Sequence, residues 1–410
     1  MKMVKSLILG TAVAFAASAG AQAADLPVKA KAAGYVKICP QYGPGFYYIP
    51  GTDICLKVGG LVFAEAGYYV SGAITNLSYG ANGWDHTDNA LAWRTRGYIS
   101  MDARTATPYG VLRSFILGGL QQVSGTTASV AGVTNSGFLQ YAFIQFAGFT
   151  AGTANSFFDF GANYLTVSVA ANPWTWTNLF AYTANLGNGL SASVSIEDPT
   201  WTRLNVAATT NAQDAPDVVA NIRLDQAWGS AQVMAAAKQT RWADGHDWGF
   251  AVGAGVEIKL PMLGAGDTIK IVAVTSEGAA EYTGITGNPY GSAAAFNVGF
   301  AAPGGALGVA AVTDAATAIG SLTDASSVMV QFKHNWTPTV NSNFHVGYNE
   351  AYNRFAGGFG GLQIVQYGHS LKWSPVKDLT LALDVLYTET DVNQTETDKV
   401  ATWFRVTRTF

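Results

Sequence analysis

The feature that most constrains this chain is a two-residue alternation of apolar with small or polar side chains, repeated in many short segments. In residues 247–260 the even positions are apolar, beginning with Trp248, Phe250 and Val252, while the odd positions are mostly glycine, alanine or polar. The segment 343–349 alternates in the same way. Such a period predicts β-strands with one apolar face. Over the whole set of segments the other face is mostly Gly, Ala, Ser and Asn with few charges, whereas a soluble sandwich places charges on its outer face.

The composition decides where the apolar face points. Only 12% of the 410 residues are charged and 49% are hydrophobic, against roughly 25% charged residues in typical soluble domains. The uncharged stretches 114–158 and 160–196 are too rich in Gly, Asn, Thr and Ser to be spanning helices. In lipid only helices and closed barrels satisfy the backbone. The sequence therefore predicts an all-β, antiparallel up-and-down transmembrane barrel with an apolar outside and an aqueous inside.

Counting the alternating segments predicts sixteen strands, although fourteen or eighteen would also fit the pattern. Tight connections such as 107–110, 187–189, 229–230, 337–339 and 374–377 alternate with longer ones, as expected for short periplasmic turns and longer outer loops. We place the strands at 54–71, 90–105, 111–124, 137–147, 149–157, 176–186, 190–198, 217–227, 231–242, 247–260, 267–276, 326–336, 341–352, 362–373, 379–390 and 400–410.

The N-terminal residues indicate export. Residues 1–23 have an early basic pair, an apolar run and an Ala-Gln-Ala end, which is the pattern of a cleaved signal peptide. Residues 24–53 are then a periplasmic segment that precedes the barrel at 54–410. Cys39 and Cys55 would lie in an oxidising compartment, where a disulfide is expected; two buried free thiols are the alternative.

Strand parity selects the charges that face the lumen. In the segment 93–104, Arg94, Arg96, Asp102 and Arg104 share one face. An arginine in lipid at mid-membrane costs about 2–4 kcal/mol, so this face is expected to point inward, to line a pore or to brace the wall with salt bridges. Further inward charges are expected at Arg113, Arg223, Lys238, Asp384 and Arg405.

The whole chain resembles the alphaproteobacterial general-diffusion porins. The residues that support the resemblance are the cysteine segment 39–60 with its Tyr-Ile-Pro-Gly-Thr-Asp-Ile-Cys run, and the segments 95–98, 109–114, 142–152, 156–160 and 404–410. The resemblance implies a sixteen-stranded trimeric barrel whose third outer loop folds into the lumen, and passive passage of small hydrophilic solutes. One departure is Arg408, where such barrels often have an aromatic residue; the terminal Phe410 still implies insertion by the barrel-assembly machinery.

The resemblance also assigns the pore constriction. Residues 157–173 form an aromatic connection with a single acid, Asp159; without the resemblance this segment could equally be a surface loop. As the constricting loop, it would set Asp159 against wall arginines at Arg94, Arg96, Arg104 and Arg113. Residues 277–325 are expected to form a long outer loop.

The remaining function classes are weakly supported. Enzyme motifs such as Gly-x-Ser-x-Gly and His-Glu-x-x-His do not occur, and 27 acids against 23 bases disfavour nucleic-acid binding. We expect no cofactor and no metal, although Asp85, Asp88 or Asp198 could bind a divalent cation rather than remain solvated. Expected partners are two further copies of the chain, outer-membrane lipid and lipopolysaccharide. A solute-specific channel and a plugged structural or adhesive barrel are the alternative functions.

Overall fold

The computed structural model describes residues 36–71, 91–124, 133–167, 169–201, 214–242, 245–285, 322–353, 361–392 and 394–410. The expected signal peptide lies outside these residues, as does the start of the N-terminal segment. Among the described residues, no helix is long and apolar enough to cross a membrane.

The described chain is almost entirely antiparallel strand, with 3₁₀ turns at Pro40–Tyr42, Pro199–Trp201 and Ala280–Thr283. The strands are β1 (Tyr47–Tyr48), β2 (Cys55–Ser71), β3 (Leu91–Thr107), β4 (Gly110–Ser124), β5 (Val133–Phe146), β6 (Phe149–Asn155), β7 (Trp176–Gly187), β8 (Leu190–Glu197), β9 (Asp217–Gln226), β10 (Gly229–Trp242), β11 (Gly245–Lys259), β12 (Thr268–Glu277), β13 (Thr323–Asn335), β14 (Val340–Asn353), β15 (Leu362–Val376), β16 (Leu379–Val392) and β17 (Thr395–Thr409).

Strands β2 to β17 form one closed barrel. Each pairs with its neighbour in sequence, and β17 pairs with β2 from Thr409 opposite Leu61 to Lys399 opposite Ser71. The C-terminus completes the seam, because the amide of Phe410 donates to Gly60 and the amide of Gly60 donates back, both at 3.0 Å. The predicted sixteen-stranded barrel is confirmed, and each of the sixteen predicted segments overlaps one of its strands.

The two faces of the wall follow the predicted parity. On β3 the odd residues Trp93 and Ile99 face outward and are 55% and 60% exposed, whereas Tyr98 faces inward and is 8% exposed. On β11, Phe250 and Val252 face outward while Ala251 is buried. The outer surface is therefore an apolar band suited to lipid.

The two ends of the barrel differ in their connections. At one end, which we call the turn end, most hairpins close in two residues; Ala147 and Gly148 have φ of 49° and 90°, and Asn188 and Gly189 have 50° and 75°, as primed hairpin turns require. The other end, the loop end, has the long connections. The alternation has exceptions: 260–267 at the turn end is long, and 243–244 and 393–394 at the loop end are short.

The long turn 260–267 is organised by one carboxylate. Asp267 accepts hydrogen bonds from the amide of Asn335 at 2.9 Å and from the His334 ring at 2.6 Å. Burial by itself would raise the pKa of Asp267, but these hydrogen bonds and the charge of His334 outweigh it and hold that pKa below its usual value. The turn is thus pinned to the end of β13.

The N-terminal segment is joined to the barrel by the predicted disulfide. Cys39 and Cys55 are bridged with their Cα atoms 6.0 Å apart, and both are fully buried with Phe46. The short β1 pairs with the first residues of β2. The disulfide prediction is confirmed, and the segment lies at the turn end of the barrel.

We predict that replacing both cysteines by alanine loosens this segment without opening the barrel. A bridge across 16 residues removes about 3 kcal/mol of unfolded-chain entropy. Limited proteolysis should then cut within residues 36–54, while unheated gel mobility stays that of a folded barrel. Reductant added to the wild type should reproduce the cleavage; equal protease resistance in variant and wild type would contradict the prediction.

Candidate functional site

The connection between β6 and β7, residues 156–175, folds into the barrel. It is the third connection at the loop end, as the resemblance implied. Its apolar side chains are buried against the inner wall in one cluster. The buried members from this connection are Phe158, Phe160, Leu165, Val167, Val169 and Ala171.

The start of this inward loop is held by β8, β9 and β10. The Glu197 carboxylate accepts from the amide of Phe157 at 2.9 Å, and the Asn221 side chain donates to the carbonyl of Phe157 at 2.6 Å. The Gln232 side chain donates to the carbonyl of Asp159 at 3.0 Å. Polar wall side chains here replace the water that would otherwise solvate the loop backbone.

The middle of the loop is held by β12, β13 and β15. The Lys270 ammonium donates to the carbonyl of Ala162, and the Lys372 ammonium donates to the carbonyl of Tyr164 at 2.6 Å. Gln331 accepts from the amide of Tyr164 at 3.2 Å. Both lysines are therefore committed to the loop.

The last part of the loop is held by β15 and β16. Asp384, one of the predicted lumen charges, accepts from the amides of Thr166 and Val167 at 2.8 and 3.1 Å and from the Thr166 hydroxyl. Gln366 accepts from the amide of Ala170 at 2.8 Å. These anchors all come from the arc of wall between β8 and β16.

Glycines on the inner wall let the loop lie close to the strands. A Cβ at Gly255 would come within 2.3 Å of the Phe160 ring, and one at Gly368 within 2.8 Å of Leu165. Both are nearer than van der Waals contact allows. The glycine-rich inner face noted in the sequence is thus the surface that receives the loop.

The opposite arc of wall holds the predicted arginines. Glu65 on β2 lies directly across from Arg94 on β3 and from Arg405 on β17. It forms salt bridges with both, and its side chain is fully buried between them. These two guanidinium groups and that of Arg96 lie near the Phe63 ring. The distances to the ring centroid are 4.5 Å for Arg405, 5.3 Å for Arg94 and 5.8 Å for Arg96.

Arg96 is held by neutral partners. It donates to the Gln121 side chain at 2.9 Å and to the Tyr98 hydroxyl at 2.7 Å, and its guanidinium lies 4.5 Å from the Phe138 ring centroid. No acid is among these contacts, so they hold the guanidinium in place and leave its charge unneutralised.

The expected constriction residues do not form one cluster. Arg104 and Arg113 are cross-strand partners that share Asp102, at 2.8 and 3.0 Å. Arg104 is eight residues beyond Arg96, which is about 26 Å along the strand, and it approaches the Phe46 ring of the N-terminal segment at 4.9 Å. The basic wall therefore divides into an upper cluster of Glu65, Arg94, Arg96 and Arg405 and a lower cluster near the turn end.

The other predicted lumen charges face inward but have different surroundings. Arg223 forms a salt bridge with Asp225 at 2.9 Å near the turn end, and its guanidinium lies 5.4 Å from the Phe160 ring centroid. Lys238 is fully buried in the wall. Arg405 belongs to the upper cluster described above.

Asp159 lies at the base of the inward loop. Its carboxylate accepts from the amide of Thr175 at 3.1 Å, so it closes the loop on itself. It also lines an open cavity of about 420 Å³ together with Tyr141, Asn155 and Trp174. The predicted acid thus lines a cavity that is formed mainly by the inward loop itself.

Sequence reasoning missed the partners of these charges. Glu65 is a single acid in a long strand, and only the pairing register shows that it lies between two arginines. Lys270 and Lys372 had the correct parity for inward charges, but their role depends on where a loop from another part of the chain crosses the lumen.

The candidate cation ligands give no metal site in the part of the chain that the structure describes. That part contains no group of three or more His, Cys, Asp or Glu residues arranged to hold a metal ion. Asp198 accepts instead from the amide of Thr200 at 2.9 Å. Asp85 and Asp88 lie outside the described residues.

A closed sixteen-stranded barrel with an apolar exterior, a charged interior and an inward loop has the architecture of a transmembrane barrel of the outer membrane. Comparison with known sequences agrees: the profile of the Porin subfamily matches residues 25–408. The chain belongs to this porin family, and the resemblance noted in the sequence is confirmed.

Curated relatives include Porin Omp2b of Brucella melitensis, which is 33% identical over 242 residues, and Porin Omp2b of Brucella canis, which is 32% identical over 243 residues. Each alignment covers 55% of this chain and 64% of the relative. The chain therefore matches slightly less than two thirds of the length of these relatives.

Solved structures share the fold. The outer membrane channel DcaP of Acinetobacter baumannii superposes with a TM-score of 0.67 at 15% identity, over 88% of this chain and 99% of that one. OmpF of Salmonella typhi gives 0.53 at 12% identity, over 87% and 98%. These structures show the shared fold, and membership of the porin family assigns the barrel to the outer membrane of a Gram-negative bacterium.

We predict that Asp384→Ala loosens the inward loop. The change removes the acceptor for two amides and a hydroxyl of the loop, so open-channel current noise should rise without loss of the barrel. Asp384→Asn removes the same charge but keeps an acceptor oxygen. In planar bilayers it should show less open-channel current noise than the alanine variant. Equal noise in both variants and wild type would show that Asp384 does not hold the loop.

Proposed function

We propose that the chain forms a passive, water-filled channel for small hydrophilic solutes and ions. The observation that supports this most directly is the one-sided attachment of the inward loop. Its wall anchors belong to β8–β16, whereas the upper arginine cluster belongs to β17, β2 and β3. The narrowest passage would then lie between the loop and this cluster.

The size of the barrel supports an aqueous passage. Barrels of 16–18 strands have an interior wider than side chains alone can fill, so a loop is needed to narrow them. The inward loop fills the side of the lumen to which it is bonded. The other side of the lumen, along β17, β2 and β3, is left for the passage of solutes.

The charges around this passage would set its ion preference. The upper cluster has three arginines and one glutamate, an excess of two positive charges, while the loop contributes Asp159. Two unit charges about 8 Å apart interact by about 0.5 kcal/mol in bulk water and about 2 kcal/mol at an effective dielectric of 20. At 0.1 M salt the Debye length is about 10 Å, so a narrow passage would feel these charges and a wide mouth would not.

The partners of the channel are part of the same proposal. We expect three copies to assemble, as the porin resemblance implies, with the apolar outer band against outer-membrane lipid and lipopolysaccharide. Phe410 is 65% exposed at the end of β17, so it is accessible to the barrel-assembly machinery. Passive diffusion of solutes involves no chemical reaction, so the proposed channel requires no cofactor.

The first test is conductance and ion selectivity. Wild-type protein should give open steps in planar bilayers, and a barrel that folds but stays silent would exclude the channel. Arg94→Ala with Arg96→Ala should move the reversal potential toward cations, most strongly at low salt. Asp159→Asn and Glu65→Gln should each move it toward anions, since each replaces an acidic side chain by its neutral amide.

Arg104→Ala with Arg113→Ala is the matched control, because it removes two positive charges from the lower cluster, about 26 Å further along the strand. It should shift the reversal potential less than the change at Arg94 and Arg96. If the paired arginine variant keeps the wild-type preference at low salt, the upper cluster braces the wall and does not face the passage.

A separate prediction concerns assembly. Mild extraction should yield a band near three times the monomer mass on an unheated detergent gel, which boiling converts to monomer. Folded barrels can associate through their apolar outer faces. Only heating should therefore convert the trimer band into the monomer band. Monomer alone after mild extraction would contradict trimer formation.

A further inference from the structure

A second segment also enters the lumen. The connection after β12 was expected to be a long outer loop at 277–325, but residues 278–285 turn inward and are buried. We call residues 278–285 the buttress. The turn begins at Gly278, where φ is 68°, the amide donates to Thr323 at 2.8 Å and the carbonyl accepts from the Thr240 hydroxyl at 2.5 Å.

The buttress is fixed to the inner wall on two sides. The Tyr282 hydroxyl donates to the Asp217 carboxylate on β9 at 2.8 Å, and the Asn349 side chain on β14 donates to the carbonyl of Thr283 at 3.0 Å. The buttress therefore spans the lumen side of β9 to β14, which is the arc that holds the inward loop.

The buttress touches the inward loop near its start. The Tyr282 ring packs on the Phe158 ring with centroids 4.8 Å apart, and both side chains are almost fully buried. Phe158 follows Phe157, whose backbone is bonded to Glu197 and Asn221. Tyr282 thus supports the point at which the loop leaves the wall.

The buttress also touches the loop near its end. Gly284 has φ of 67°, and a Cβ there would come within 2.5 Å of the backbone of Asn172. Ile285 lies in the same buried cluster as Ala170. Both ends of the inward loop are therefore packed on the same eight residues.

We infer that the buttress is a positioning element for the constriction, with Tyr282 and Gly284 as its main contacts. The inference rests on the proposed channel function, because it concerns the width of the same passage. Wall contacts at Gly255 and Gly368 hold the middle of the loop, and packing on the buttress restricts motion of its two ends. The buttress residues thereby help to set the size limit of the channel without lining it.

The test compares three variants with a matched glycine control. Tyr282→Phe keeps the ring on Phe158 and loses only the hydrogen bond to Asp217. In single-channel records, the time spent at the wild-type conductance level relative to all other levels should then change by about five-fold. Tyr282→Ala also loses the ring contact and should have a larger effect. Gly284→Ala should displace the loop through the clash with Asn172. Gly187→Ala is the control, because Gly187 also has positive φ but has open space around it.

Single-channel conductance, size exclusion of neutral polymers and unfolding temperature are measured for each. The expected result is altered conductance and size limit for Tyr282→Ala and Gly284→Ala, with Gly187→Ala like wild type. If the buttress variants lower the unfolding temperature but keep wild-type conductance and size limit, the buttress only stabilises the barrel and the inference is wrong. A wild-type barrel that does not conduct would instead overturn the proposed function, so the two failures are distinct. Tyr282→Phe keeps the test decisive if the larger changes prevent folding.

Discussion

Closure of the backbone hydrogen-bond ladder is the constraint on which the rest of this structure depends. A strand edge in lipid would leave amide and carbonyl groups without partners, each at a cost of several kcal/mol. The pairing of β17 with β2 removes that edge, and the mutual hydrogen bonds of Phe410 and Gly60 extend the seam to the last residue. Gly60 must remain small here, because a Cβ would lie 2.7 Å from the Phe410 ring. The seam also brings Arg405 beside Glu65, so closure assembles the charged wall as well as the barrel.

The same closure creates the interior that the loops must fill. Strands that are apolar outside leave small and polar residues inside, and the inward loop can approach the wall only because positions such as Gly255 and Gly368 have no side chain. Loop backbone taken out of water needs new partners, and Glu197, Lys270 and Asp384 provide them. Several lumen charges are thus structural anchors for a loop. This explains why the inner wall has many polar residues that do not belong to the passage.

How much could be predicted from the sequence follows from the range of each interaction. Strand period, parity and number depend on neighbours in the chain, so all sixteen strands and the inward direction of Arg94, Arg96 and Asp102 were predicted. The pairing register and loop paths depend on contacts between distant residues. Glu65 therefore gave no signal of its two arginine partners, and Arg104 was grouped with Arg96 although a strand keeps them far apart. The burial of Tyr282 was not foreseen, because a short turn inside a glycine-rich connection has no periodicity.

The upper cluster shows how a wall can hold like charges close together without neutralising all of them. Two guanidinium groups share one buried carboxylate at Glu65, and the aromatic face of Phe63 lies within 6 Å of three. A ring face attracts a cation without cancelling its charge, and guanidinium groups are weakly hydrated and planar, so they tolerate this crowding better than lysines would. Each positive charge is then fixed in direction, while the group keeps a net charge toward the lumen. The electrostatic effect of the upper cluster decays over about one Debye length. The distance between the inward loop and this cluster must therefore stay fixed. Anchors on β8–β16 and packing at both ends of the loop meet that requirement.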